Sequence, residues 1–329
     1  MQDKARIIEL VSKVCELSKD VLEKPPSSAM AKILRRQISN IEKTRLLFRL
    51  FVADFSYQAT SDQAVDRFRE RNGDVTFQQV ALQMEIARRN RSSFCPKLES
   101  FESFKGCCYR KAPRTCNSPT LISACPLPKF VLIKGSTNIK TISFFLWLSD
   151  ICQGDLISFT DNVIGRYANL PTEDERITGA KDELIELAML IHGVGSKLAN
   201  MVLSSFLLSN TRKENWLNIG RSMVPVDSLV HNFLHRTGIL RFYNSAHPYG
   251  PACYVKCIKI IEDLAREINC TKFSEAYPSF FPRFISFSIW RFSSVGLLDV
   301  CNGKNIRKGR CRQNDVCPVY DLCDRVRLK

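Results

Sequence analysis

The feature that most constrains this chain is a turn, Ile191-His192-Gly193-Val194-Gly195-Ser196, set between two apolar repeats of helical period and followed at once by Lys197. Before it, Leu184, Leu187, Ala188 and Ile191 recur at i, i+3, i+4 and i+7; after it, Leu198, Met201, Val202 and Ser205 repeat that spacing. The repeats predict two helices joined by a short turn whose glycines supply backbone angles that a side chain would penalise. The amides of Gly195, Ser196 and Lys197 then open the second helix, where the first N–H groups lack intrahelical acceptors and the dipole favours an anion. A phosphate fits such a place.

Elsewhere the same period dominates. Ile7, Leu10, Val11 and Val14 mark one amphipathic helix, broken by Lys24-Pro25-Pro26-Ser27-Ser28, and further helices are expected over 33–55 and 64–71 before Asn72-Gly73. Thr76 is placed to cap a helix over 77–91. Later helices are expected over 144–151, 165–167, 180–191, 198–208, 227–237, 254–268 and 279–295. Ile261, Leu264, Ala265, Ile268, Phe280, Phe284 and Phe287 read as core; Trp290 and Tyr243 read as base-stacking aromatics or, by preference, as core packing. Strand-type alternation is scarce, so the expected fold class is all-α, in two helical domains with the glycine turn and Asp227 at the cleft. The expected division is a helical region at 1–94, a cysteine-rich basic insertion at 95–129, a core at 130–295 and a cysteine loop at 296–329.

The runs IHGVGSKLANMVL and VPVDSLVHNFLHRTG resemble the helix-hairpin-helix DNA glycosylases of the endonuclease III and 8-oxoguanine glycosylase superfamily. That family's signature reads roughly LPGVGxKxAxxxL and then VDxHVxR, and the resemblance covers about residues 140 to 329. Gly193, Gly195, Lys197, Ala199 and Asp227 match; His192 stands where proline is usual, and Ser228-Leu229 replace Thr-His or Val-His. The resemblance implies that Asp227 stabilises the positive charge developing on deoxyribose as the N-glycosidic bond breaks, while Lys197 attacks C1′ to give a Schiff base. Such a lysine has to be neutral, which calls for burial or nearby positive charge. It also implies a glutamine entering the gap left by an extruded base, for which Gln83 is the candidate, and a hairpin that holds phosphates through Gly193, Gly195 and Ser196. Read alone, Lys197 is a surface lysine at a helix start, Asp227 an N-cap and Gln83 part of a solvated basic helix.

Cys301, Cys311, Cys317 and Cys323 follow the last core helix with the spacing C-x9-C-x5-C-x5-C. Four cysteines in a short polar loop can hold either a [4Fe–4S] cluster or zinc, since both take four thiolates within a few ångströms. Spacing alone does not choose. The ending Cys317-Pro-Val-Tyr-Asp-Leu-Cys323 resembles the closing half of the iron–sulfur loop of endonuclease III-type enzymes, normally C-x6-C-x2-C-x5-C, which implies the cluster; the first two intervals here are longer. Lys304, Arg307, Lys308, Arg310 and Arg312 interleave with these ligands and would present positive charge to a phosphate backbone. A second group, Cys95, Cys107, Cys108, Cys116 and Cys125, lies among Arg110, Lys111 and Arg114; it is either a further metal site or a set of reduced thiols, and its spacings match no zinc template closely.

Charge agrees with a polyanionic partner: 48 Lys and Arg stand against 33 Asp and Glu, a net +15 over 329 residues. Met1-Gln-Asp-Lys-Ala-Arg-Ile carries no apolar signal core, and no stretch approaches the roughly 18 apolar residues of a membrane span. Fourteen cysteines without a secretion signal point to a reducing compartment. The expectation is therefore an intracellular monomer, in cytoplasm and nucleoid or in nucleus, acting on double-stranded DNA with a damaged base or abasic site. The activity implied is bifunctional glycosylase and abasic-site lyase of base excision repair. The rivals are a monofunctional glycosylase and a noncatalytic DNA-binding protein that keeps the turn and the metal loop. A zinc hydrolase is disfavoured: the only histidines are His192, His231, His235 and His247, no H-E-x-x-H occurs, and His231 and His235, at i and i+4, read as surface or packing residues. The loop leans toward oxidised pyrimidines, Val224-Pro225-Val226-Asp227 toward 8-oxoguanine, and mismatched uracil or thymine is a third choice.

Overall fold

The computed structural model describes residues 2–19, 28–57, 62–110, 114–133, 135–301, 311 and 317–328. Among them the fold is all-α, with fifteen α-helices, five short 3-10 turns and no strand; Arg110 and Thr115 form an isolated antiparallel bridge. In chain order the helices are α1 Gln2–Glu16, α2 Ser28–Leu34, α3 Asn40–Ser56, α4 Asp62–Asn72, α5 Phe77–Arg89, α6 Phe101–Phe104, α7 Gly135–Asp150 and α8 Leu156–Arg166. They continue with α9 Glu173–Met189, α10 Ser196–Leu208, α11 Glu214–Ser222, α12 Ser228–Arg236, α13 Ile239–Phe242, α14 Cys253–Glu267 and α15 Pro282–Ser293. None is long and apolar enough to cross a membrane. The chain divides into two compact units, one made of 29–202 and the other of 1–28 together with 203–329.

In the 29–202 unit the helix starts are written in the sequence. Ser39 with Glu42, Thr76 with Gln79 and Thr172 with Glu175 close reciprocal capping boxes on α3, α5 and α9, and Asp155 caps α8. The Ser39 box splits the single helix expected over 33–55 into α2 and α3, and the helix expected over 165–167 proves to be the last turn of α8. Phe144 of α7 is the centre of the core. Phe48 and Phe51 of α3 stack on its ring at 5.3 and 5.2 Å, and Phe55 meets it edge-on at 5.4 Å. Two polar ties fix the ends of this core: Thr44 Oγ1 accepts from Leu156 N at 3.0 Å, and the Asp150 carboxylate accepts from Phe101 N at 2.6 Å.

The other unit is built around α15, which packs against α1, α11, α12 and α14. Its Phe284, Ile285, Ile289 and Phe292 are buried, and Ile7, Leu10, Val11 and Val14 of α1 close the same core. Ile261, Leu264, Ala265 and Ile268 are buried as expected, while Phe280, Trp290 and Tyr243 lie half-buried against that core; Phe287 is half-buried with its ring 5.8 Å from Trp290. The α1 helix is tied by ion pairs as well, Lys4 to Glu267 and Arg6 to Asp324, but these are partly exposed and contribute little beside four buried aliphatic side chains. Replacing Leu10, fully buried, with alanine is expected to lower the unfolding free energy by about 2–5 kcal/mol in denaturant titrations. A loss below about 1 kcal/mol would contradict the docking of α1.

Candidate functional site

The glycine turn forms where the sequence places it. Helix α9 ends at Met189, Val194 N donates to Ile191 O at 3.0 Å, and α10 starts at Ser196, with Ala199 N donating to Gly195 O at 2.9 Å. Gly193 has φ of +70°, a region that a β-carbon penalises, and a β-carbon there would lie 3.1 Å from Cε of Lys140. Gly195 is exposed, with open space where its side chain would be. The turn is held from below: His192 N donates to Ser143 Oγ of α7 at 2.9 Å. Lys140, also on α7 and buried, puts a second ammonium under the turn that the sequence pattern does not advertise, because it falls inside an otherwise apolar helix. Burial first and the Lys140 charge second hold the His192 imidazole below the usual histidine range, so the residue that replaces proline in the signature is a neutral ring near pH 7.

Lys197 is the second residue of α10 and is half-buried, its Nζ 3.7 Å from Sδ of Met201 one turn along the same helix. Asn200 Nδ2 donates to Ser196 O at 2.9 Å, so the first turn of α10 is braced by its own side chains. Gln83 lies half-buried near the middle of α5, between the exposed Leu82 and Ile86, away from that helix's basic end at Arg88 and Arg89.

Asp227 belongs to the other unit and caps α12. Both cap bonds, from Leu229 N and Val230 N at 2.9 Å each, fall on Oδ1, leaving Oδ2 outside the cap. The strand-like run before it is anchored from behind, since Ser286 Oγ of α15 donates to Pro225 O at 2.8 Å. Capping thus orients the carboxylate without consuming it.

Cys301, Cys311, Cys317 and Cys323 are brought together in the same unit. Burial pushes Cys301 up to about 12 against the pull of the Arg236 guanidinium, and the thiols of Cys323, Cys317 and Cys311 each add to the rise. Cys317 is raised by burial and by Cys311, and Cys323, at about 11, by burial and by both of those neighbours. Amides point at the sulfurs: Arg325 N donates to Cys323 Sγ at 3.4 Å, and Val319 N to Cys317. Val300 N and Cys301 N both donate to Phe292 O, which hangs the loop from the end of α15. The four thiols thus lie within electrostatic range of one another, with amides aimed at the sulfurs of Cys317 and Cys323 and the Arg236 guanidinium near Cys301. Lys304, Arg307, Lys308, Arg310 and Arg312 lie outside the described residues.

The insertion gathers its cysteines as well. Burial raises Cys125 to about 12 and raises Cys107 too, with Cys95 and Cys116 adding to both; Cys108 adds to Cys107. Asn117 N donates to Cys108 Sγ at 3.2 Å and Ser118 N to Cys116 Sγ at 3.4 Å, on the arm that follows the Arg110–Thr115 bridge. Sequence reasoning missed one further group. His231, His247 and Cys253 approach one another in the 203–329 part of the chain, and the signal that could have found them is the pair Cys253 and Cys257 one helical turn apart on α14.

Comparison of the chain with known protein families, with curated proteins and with solved structures finds no match.

Proposed function

We propose that the chain is a DNA glycosylase with an associated abasic-site lyase activity, acting on duplex DNA that contains a damaged base. The observation that carries this reading is the turn at Gly193 and Gly195, which opens α10 with exposed backbone and sets Lys197 in its first helical turn. The start of α10 offers amides and the positive end of a helix dipole to a DNA phosphate. Lys197 is the nucleophile toward C1′, and Asp227, its Oδ2 outside the α12 cap, is the group that stabilises positive charge on the sugar as the base departs. The target base has to leave the stack, and Gln83 is assigned to the gap. After the lysine has formed an imine with the opened sugar, loss of the proton at C2′ expels the 3′ phosphate by β-elimination and nicks the strand.

Cys301, Cys311, Cys317 and Cys323 are assigned a [4Fe–4S] cluster with a structural role, beside a positively charged loop that meets the phosphate backbone. The net charge of +15 supports the same partner.

Duplexes carrying one oxidised pyrimidine, one 8-oxoguanine or one mismatched uracil test the assignment. The protein is expected to release one of these bases and nick the strand. Asp227→Asn, which keeps a capping oxygen, is expected to slow base release by about 10²–10⁴-fold, and Lys197→Gln to abolish nicking. If Lys197→Gln nicks as well as the unaltered protein, the lyase assignment fails; if no duplex loses a base although all are bound, the noncatalytic DNA-binding reading replaces the enzyme.

The purified protein is further expected to be brown, with iron and acid-labile sulfide in equal amounts. Cys323→Ser should lose both. A colourless protein carrying zinc at this loop would overturn the cluster.

A further inference from the structure

We propose that His231, His247, Cys253 and Cys257 form a tetrahedral zinc site that ties α12 to α14. The four residues come from three separate segments. His231 lies on α12 one turn after Asp227, and its amide makes the first bond of that helix, to Asp227 O at 3.0 Å. His247 sits in the irregular segment between α13 and α14, and Cys253 and Cys257 face the same side of α14 at i and i+4.

One ligand atom each from His231, His247 and Cys253 all lie within 4.8 Å of one another. The fourth donor, Cys257 Sγ, is 3.5 Å from Nε2 of His247. Zinc bonds of about 2.3 Å to sulfur and about 2.0–2.1 Å to nitrogen put tetrahedral ligands roughly 3.3–3.8 Å apart, so His231, His247 and Cys253 close around an ion by a small contraction, while Cys257, near His247 but outside that threefold group, joins by a further side-chain shift. Three of the four residues are buried: His231 at 4% exposure and both cysteines at 0%.

The surroundings are those of a ligand set rather than of packing alone. His247 Nδ1 is spent on the carbonyl of Ser245, which fixes the ring and leaves Nε2 turned to Cys257. Gly250 N donates to Cys253 Sγ at 3.4 Å, a bond that supports a thiolate. His231 Nε2 lies 3.0 Å from His247 O and its Nδ1 3.4 Å from Asn232 Oδ1, so coordination through either nitrogen exchanges one of these contacts for the metal and keeps the other. With four protein ligands no position is open for water, so the ion is structural: it pins the helix that Asp227 caps. The site does not depend on the glycosylase reading and stands or falls separately from it.

Because cysteines elsewhere in the chain also bind metal in principle, the test counts zinc by position. Full-length protein, dialysed after growth with zinc, is expected to show a zinc-edge X-ray absorption spectrum with both sulfur and nitrogen in the first shell. Cys253→Ser/Cys257→Ser should carry one zinc fewer per chain, and Cys107→Ser/Cys125→Ser should retain the nitrogen-containing shell. If the first double variant fails to fold, the spectrum of the unaltered protein still decides. An all-sulfur shell, no bound zinc, or a folded Cys253→Ser/Cys257→Ser protein with undiminished zinc would overturn the site.

Discussion

Burial of α15 governs the unit that contains it. Eight of its residues, from Pro282 to Ser293, are buried and four other helices pack on it, leaving Arg283, Phe287, Trp290 and Arg291 half-buried along one face. Two of its polar atoms then place the parts on which chemistry is proposed. Ser286 Oγ holds the carbonyl of Pro225, two residues before Asp227, and the carbonyl of Phe292 receives the amides that begin the cysteine loop. A substitution that moved α15 would therefore shift both the Asp227 carboxylate and the C-terminal cysteines, although neither lies on that helix.

How much of this was legible in sequence follows from the range of each interaction. Local chemistry read well: the α9–α10 turn needs only its glycines, Asp227 caps because its side chain reaches amides two and three residues on, and Thr76 starts α5 for the same reason. The break between α2 and α3 was equally local, a Ser39–Glu42 box inside an apolar run, and was passed over because the hydrophobic period continues across it. Helix α11 was hidden by mixed composition. It is packed through Trp216, whose ring lies 4.9 Å from that of Phe206, and through Gly220, where a β-carbon would come within 3.0–3.3 Å of Leu207 and Leu208. Partners far apart along the chain could not be read at all. Nothing in the first twenty residues says that α1 packs on α15, and the approach of His231 to Cys253 depends on how the chain folds back between α12 and α14.

The same contrast separates the two kinds of candidate residue. Lys197 and Asp227 occupy helix starts, where one cap or one turn sets their environment, and the sequence suffices to nominate them. The thiols of the C-terminal loop owe their character to one another and to Arg236, a residue 65 positions before Cys301 that is itself buried. The Arg236 guanidinium favours the charged form of Cys301, but burial outweighs it and holds that thiol up.

Borohydride reduction of the protein on a duplex with a single abasic site, followed by mass spectrometry of the cross-linked peptide, tests the central claim most directly. The account predicts a covalent complex whose modified residue is Lys197 and which Lys197→Gln does not form. A protein that binds the duplex yet yields no covalent complex, or a complex that persists in Lys197→Gln, would contradict it.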